Sequence, residues 1–296
     1  MKEKIEICVV IILYNSGNSL PTFIECLINQ TYKNWKLVVV DNASSDGPRG
    51  MFSAINKSNI EYLYNNKNKG FAKAANQGIR RGLDLGYQRF LLLNTDVYFQ
   101  NDFMLNFIEK WNMIGGHVVS PRIMYMNDHK NSWYAGGHFE NDWIFQVIHE
   151  KYDDNERASF RDVGFVSGCC LGIEIYAIEK IGLFDETFFV YWEDSDFCMR
   201  LSKNDIKMYY IEDSVIFHYG GLSSGGEFTI SYINLYYESY AKFLRKHFGV
   251  WLSIQTLLRI TLRELQRSRP RYKQIAATAA AMTRGMIMPL RQEPRI

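Results

Sequence analysis

The chain opens on a run with almost no polar interruption, "IEICVVIIL" over residues 5–13. A strand with one wet face would alternate; a continuous apolar run belongs to a strand covered on both sides. "KLVVVDN" and "RFLLLNTD" repeat the pattern, with "IEYLYN" between them. The intervening segments change period. Leu20, Phe23, Ile24, Leu27 and Ile28 recur at helical spacing behind Ser19 as a cap. A second helix is expected near Arg49 to Lys57, and "NKGFAKAANQGIRRGLDLG" reads as a loop and a helix. Strand and helix alternating over roughly the first 100 residues predict an α/β fold with a doubly wound, mostly parallel sheet.

The residues that end these strands carry the first functional signal. Ligands of such sheets sit outside the carboxyl ends of the strands. Tyr14 and Asn15, Asp41 and Asn42, and Asn94 to Asp96 all stand at that edge. Any one of them is an ordinary turn former, but their convergence predicts a site, with Asp96 at its mouth.

From about residue 100 the pattern loosens into aromatic- and Gly-rich stretches, read as strands and long loops laid against the first sheet. From about Ser231 it turns helical. Trp251, Ile254, Leu258, Leu262 and Leu265 form an apolar stripe there, with Arg259, Arg263 and Arg267 elsewhere on the wheel. The expected division is a catalytic unit over 1–230, with a nucleotide-binding half to about 100 and an acceptor half after it, then a helical basic extension over 231–296.

Composition adds limits. The 296 residues are 47% hydrophobic, enough for a core, and the net charge of +2 argues against a general nucleic-acid binder. The charge is uneven: from Arg245 onward eleven Lys or Arg face only Glu264 and Glu293. Five cysteines without a CxxC pair suit a reducing compartment and argue against structural zinc. The N-terminal run is short and flanked by Glu3 and Glu6, so it reads as a strand rather than a leader. No apolar stretch reaches the roughly 18 residues that a membrane span needs.

"VYWEDSDFCMRL" places Glu193, Asp194 and Asp196 together among aromatics. Acids in a first helical turn are favoured by the dipole alone. Partial desolvation beside Tyr191, Trp192 and Phe197 would also raise a carboxylate toward general-base use. Asp196 is expected to pair with Arg200 in a structural role.

With these residues in view, the chain resembles the family-2 glycosyltransferases. The resemblance runs over roughly residues 5 to 250 in the ordered segments "CVVIILYNSGNSLPTFIECLINQTYKNWKLVVVDNASSDG", "NKGFAKAANQGI", "LLLNTDVYF", "SGCCLGI", "FDETFFVYWEDSDFCMRL" and "IFHYGG". The fit is closest to the rhamnosyltransferase-like branch of bacterial polysaccharide biosynthesis. It implies a GT-A fold with a smaller acceptor-side sheet and C-terminal helices. It also implies a nucleotide-sugar donor, a divalent metal (Mn²⁺ or Mg²⁺) and inversion at the anomeric carbon.

Residue by residue, the resemblance implies that Asp41 holds the imide N–H of uracil or thymine. Tyr14, Asn15, Asn42, Gly70, Asn76, Asn94 and Thr95 would line the donor nucleotide. Asp194 would be the base, with Trp192, Glu193, Gly168 and Cys169 on the acceptor side. Asp96 and His218 would hold the metal. One departure stands out: Asn94 occupies the place of the first Asp of the family's metal motif, and an amide is the weaker ligand for a hard cation.

The expected reaction moves L-rhamnose from dTDP-L-rhamnose onto a lipid-linked oligosaccharide of an O-antigen or capsule. A UDP-sugar donor (galactofuranosyl, galactosyl or glucosyl) and a non-catalytic nucleotide-sugar-binding scaffold remain open. A sugar nucleotidyltransferase is disfavoured because "YNSGNSLP" after the first strand carries no cation. The basic tail with Trp251, Met286, Ile287 and Met288 suits an anionic membrane surface, an oligomer contact or a solvated face equally. The expected location is the cytoplasm, peripheral at the inner face of the cell membrane.

Overall fold

A computed structural model describes residues 6–152, 158–219, 229–266, 272–290 and 294. The apolar runs form the expected strands: β1 (Ile7–Leu13), β2 (Trp35–Asp41), β3 (Ile60–Tyr64) and β4 (Arg89–Leu93). They pair in parallel in the order β3-β2-β1-β4, with Leu13 opposite Asp41 and Asp41 opposite Tyr64, so their carboxyl ends share one edge. Helix α1 (Leu20–Ile28) joins β1 to β2, and α2 (Phe71–Asp84) joins β3 to β4. Ser19 stands at the cap of α1, but its hydroxyl donates to the Ser16 carbonyl rather than capping an amide.

The helix expected over 49–57 is instead two short 3₁₀ turns, Pro48–Ala54 and Lys57–Asn59. The reason is local: Gly50 weakens the helix, and Asn56 offers its side chain to the Ser58 amide at 3.1 Å in place of a helical bond.

The second half does not lie across the first sheet; it continues it edge to edge. Its elements are β5 (Val97–Phe99), α3 (Phe103–Ile114), β6 (Val118–Tyr125), β7 (Asp128–Tyr134), β8 (Gly137–Glu140), β9 (Gln146–His149), β10 (Phe160–Val163), β11 (Cys170–Glu174), α4 (Ile175–Ile181), α5 (Glu193–Lys203) and β12 (Met208–His218). Strand β11 is antiparallel to both β4 and β6, and the order continues β11-β6-β12-β10, with β5 and β7 paired at the side. The smaller sheet is the β8–β9 ribbon.

Helices α6 (Ile230–Phe248), α7 (Val250–Leu265) and α8 (Tyr272–Ile287) follow. The main core fills the sheet and its covering helices. A second cluster of Phe145, Phe188, Trp192, Tyr240, Phe243, Leu244 and Met282 joins α6 to the segment before α5. Gly220 and Gly221 of "IFHYGG" and Arg267, Arg269, Arg271, Arg291 and Arg295 of the tail lie outside the described residues.

Candidate active site

Two strand pairings assemble the site. In the first, β4 against β11 sets Leu93 opposite Cys170, and the Asn94 amide donates to the Cys169 carbonyl at 2.9 Å. One residue further back, the Gly168 amide donates to Asp194 Oδ2 at 3.2 Å. The strand end that carries Asn94, Thr95 and Asp96 is thereby tied through backbone to the base candidate. In the second, β5 against β12 sets His218 opposite Val97, and the Tyr219 amide donates to the Asp96 carbonyl at 3.1 Å. Asp96 Oδ2 and His218 Nε2 then stand 3.3 Å apart, both buried.

That separation fits two donors on one divalent cation. Among the described residues no group of three acidic, His or Cys side chains could hold a metal. This donor set suits a cation that takes its remaining ligands from a diphosphate and water, as Mg²⁺-type sites do. His218 Nδ1 is buried without a hydrogen-bond partner, and Trp133 meets the ring edge-on at 4.9 Å.

At the donor edge Asp41 is buried and its two oxygens are separately engaged. The Ser44 amide donates to Oδ1 at 2.8 Å and the Tyr62 hydroxyl to Oδ2 at 2.7 Å. Each carboxylate oxygen keeps a lone pair for a further donor. Tyr14 is exposed beside the turn, and Asn15, at φ +54°, accepts from the Ser45 amide at 2.8 Å. Gly70 has φ +84°, and a Cβ there would lie 2.4 Å from the Phe189 carbonyl oxygen. The Phe71 amide donates to that same oxygen at 2.6 Å, so the 65–70 loop is pressed against the segment that leads to α5.

Two side chains expected on the nucleotide are spent elsewhere. Asn42 donates to Asn68 Oδ1 and the Gly70 carbonyl, and accepts from Asn65 Nδ2 and the Lys69 amide, which exhausts its amide group. It holds the 65–70 loop in shape. Asn76, wholly buried, bonds both the amide and the carbonyl of Phe184 (3.0 and 2.8 Å) and also Glu186. It locks α2 to the chain that carries the acids.

Those acids open α5, where the dipole favours them. Asp194 is half-buried, and its Oδ1 accepts from the Ser195 amide at 2.7 Å. Burial raises its pKa, against the opposing pull of the Gly168 and Ser195 amides. Glu193 is buried with Oε2 unpartnered, and burial together with the neighbouring Asp194 charge pushes its pKa up to about 8. Both acids are thus shifted toward the protonated form, Glu193 by burial and the Asp194 charge, Asp194 by burial against its two amide donors.

Burial alone would raise Asp196, but His247, Arg200 and Lys246 hold it well below the usual carboxylate range. Each of the three stands 2.8 Å from its oxygens, so the expected Arg200 pair is one arm of a larger network.

Trp192, expected toward the acceptor, is buried, stacked on Tyr240 at 4.5 Å and against Phe243 at 5.0 Å. Tyr191 and Trp192 have consecutive positive φ values, 67° and 68°, a conformation non-glycine residues seldom adopt. The packing of α6 holds it there, helped by the Ser239 hydroxyl on the Val190 carbonyl. Cys169 is buried, and burial puts its thiol well above the usual range, so it packs rather than reacts.

Sequence reading missed Tyr62, His149 and Trp133. Tyr62 lies two residues before the partner of Asp41, a relation that only the β2–β3 register reveals. His149 Nδ1 donates to the Trp133 carbonyl (3.1 Å), and the ring is pushed below its usual pKa by burial and acts electrostatically on Asp194. Trp133 meets both His149 and His218 edge-on.

Comparison with known proteins bears on the family and the fold. N-acetylglucosaminyl-diphospho-decaprenol L-rhamnosyltransferase of Mycobacterium tuberculosis is 26% identical over 286 residues, covering 86% of this chain and 88% of that protein. The dTDP-rhamnosyl transferase RfbF of Shigella flexneri is 24% identical over 209 residues, 71% of this chain and 67% of that protein. Among solved structures, GalNAc-T7 with UDP, GalNAc and Mn²⁺ superposes with TM-score 0.68 at 12% identity, over 97% of this chain but only 56% of that one. The mannosyltransferase PcManGT of Pyrobaculum calidifontis, with GDP-Man and Mn²⁺, gives 0.57 at 14% identity over 95% and 84%. At such identities the likeness shows the fold alone, an α/β fold of GT-A type. A family model described as glycosyl transferase family 2 matches residues 8–182, more than half of the chain. With that match, and with its resemblance to the rhamnosyltransferases, the chain belongs to glycosyl transferase family 2.

Proposed function

We propose that the chain is an inverting, metal-dependent hexosyltransferase that moves L-rhamnose from dTDP-L-rhamnose onto a lipid-linked oligosaccharide of a bacterial O-antigen or capsule. The observation that carries the transferase reading is Asp194, pinned by two backbone amides and tied by β4–β11 to Asp96. The names of the two rhamnosyltransferase relatives support the sugar.

In this reading Asp41, oriented by Tyr62, accepts the imide N–H of the base, and Gly70 lets backbone approach the nucleotide. Asp194 takes the proton of the acceptor hydroxyl, whose oxygen attacks the sugar C1 from the face opposite the diphosphate as the C1–O bond breaks. Asp96 and His218 would hold Mn²⁺ or Mg²⁺, which when bound supplies positive charge beside the departing diphosphate. Gly168 positions the base, and Cys169 packs behind it. The division into a catalytic unit over 1–230 and a helical extension over 231–296 belongs to the same proposal. So does a place at the inner face of the cell membrane, where a lipid-linked acceptor is within reach.

A UDP-sugar donor is the second reading. Asp41 meets the same imide edge in uracil as in thymine, and GalNAc-T7 was solved with UDP. The scaffold reading rests on Asn94.

Hydrolysis of donor without acceptor tests all three, across dTDP-rhamnose, UDP-galactose, UDP-glucose, UDP-N-acetylglucosamine and GDP-mannose, with Mn²⁺, Mg²⁺ or EDTA. Selective dTDP release that EDTA abolishes is the expected outcome. Selective UDP release would keep the mechanism and sink the rhamnose assignment. Donor binding without any metal-dependent release would favour the scaffold.

A further inference from the structure

The apolar stripe of α7 faces away from the protein. Ser253 and Thr256 are the buried positions of this helix, and Leu252, Leu257 and Ile260 pack against the second core cluster. Trp251, Leu258, Leu262 and Leu265 sit on the other side: Trp251 and Leu258 are each two residues from a core-facing position, about 200° around the helix. Their exposures are 73%, 58%, 54% and 47%. A helix that needed only to cover the core would carry polar residues there.

The same corner is enlarged at one end. Arg245 bonds the carbonyls of Met286 and Met288, which brings the end of α8, with exposed Ile287 and Met288, beside the start of α7.

Charge says what covers this face. Among the described residues from 259 to 273, Arg259 (which also bonds the Trp143 carbonyl), Arg263 and Lys273 stand against Glu264 alone, Lys273 being exposed on α8. Arg263 is exposed on α7 itself. An apolar stripe flanked by cations fits the boundary of an anionic bilayer, where acyl chains take the apolar side chains and headgroups the arginines. Neither α7 nor any other described helix is long and apolar enough to cross a membrane, so the fit is to lying on it.

We infer that α7 is an in-plane docking helix for an anionic membrane surface, with Trp251, Leu258 and Leu262 as its inserted side chains. The inference stands on α7 and its flanking charge, and holds whatever the donor or acceptor proves to be.

The test is co-flotation of the full chain with phosphatidylcholine vesicles, with and without phosphatidylglycerol, alongside light scattering without vesicles. The expected result is binding to the anionic vesicles only, weakened by salt. Trp251→Ser/Leu258→Ser/Leu262→Ser should lower that partitioning about tenfold or more. Melting temperature and donor hydrolysis should stay at wild-type levels, because these side chains are already mostly in water. Should the triple variant fold poorly, Leu262→Ser alone carries the test, with a smaller loss in the same direction. Arg263→Gln should lower the salt sensitivity of binding. Three results would overturn the inference: no binding to anionic vesicles, equal binding by the variant, or a dimer that the variant dissociates, which would assign the stripe to a second copy of the chain.

Discussion

At Asp194 each carboxylate oxygen has a backbone donor of its own, and Glu193 beside it has an oxygen with none. The backbone amides therefore favour ionisation of Asp194 over that of Glu193. Asp194→Asn keeps the shape and removes the base, so turnover should fall by about 10²–10⁴-fold with donor KM little changed; steady-state kinetics at saturating donor check it, and normal turnover would refute the role. The rising limb of the pH–rate profile should lie above the usual aspartate range, because burial raises Asp194. Tyr62→Phe removes one of the two protein donors on Asp41. Donor KM should rise about tenfold with kcat nearly unchanged, the cost of one hydrogen bond to a charged group. Asp41, Asp96 and Asp194 stand out as candidates in the sequence because acids at strand and helix ends are visible there. Tyr62 does not, since its hydroxyl matters only through the register of the neighbouring strand.

Among the elements, the 65–70 loop and α5 depend on segments far away in sequence. Gly70→Ala would drive a Cβ into the Phe189 carbonyl at positive φ, whereas at Gly47, also at positive φ, a Cβ meets nothing within 4 Å. Backbone conformation alone costs about 1–3 kcal/mol at either position. Thermal melting should show the larger loss for Gly70→Ala, and only that variant should weaken donor binding. Helix α6 buttresses the other side. Lys242 bonds the Thr187 carbonyl, Ser239 the Val190 carbonyl, and Lys246 and His247 reach Asp196. Asp196→Asn leaves buried cations facing an amide and should cost about 3–5 kcal/mol in chemical denaturation. None of α6 lies within the matched family span, residues 8–182. The sequence showed α6 as a helix but not which loop it supports, because its Ser, Lys and His are ordinary surface residues until tertiary contact buries them.

For the molecule as a whole, two buried acids pull stability in opposite directions with pH. Asp196 is held below its ordinary pKa, so its contribution is full above the ordinary aspartate range and lost as pH falls through the depressed value. Glu193 is raised, so the native state binds the extra proton, and its contribution fades as pH rises from the ordinary glutamate range through about 8. Denaturation at stepped pH should show a decline toward alkaline pH that Glu193→Gln flattens; an unchanged slope in that variant would contradict the buried, protonated Glu193. The sequence by itself determined the parallel half-sheet, since runs such as Ile7–Leu13 can be satisfied only between covering layers, and it determined which edge collects the acids. Tertiary structure decided the rest. Pairing of β4 with β11 brings Asp96 and Asp194 close together, tertiary hydrogen bonds engage Asn42 and Asn76 with neighbouring loops, and α6 takes Trp192 into the core. Short-range pattern fixes the period and burial of an element. Which polar atoms of two elements meet depends on contacts dozens of residues apart, and no local pattern records them.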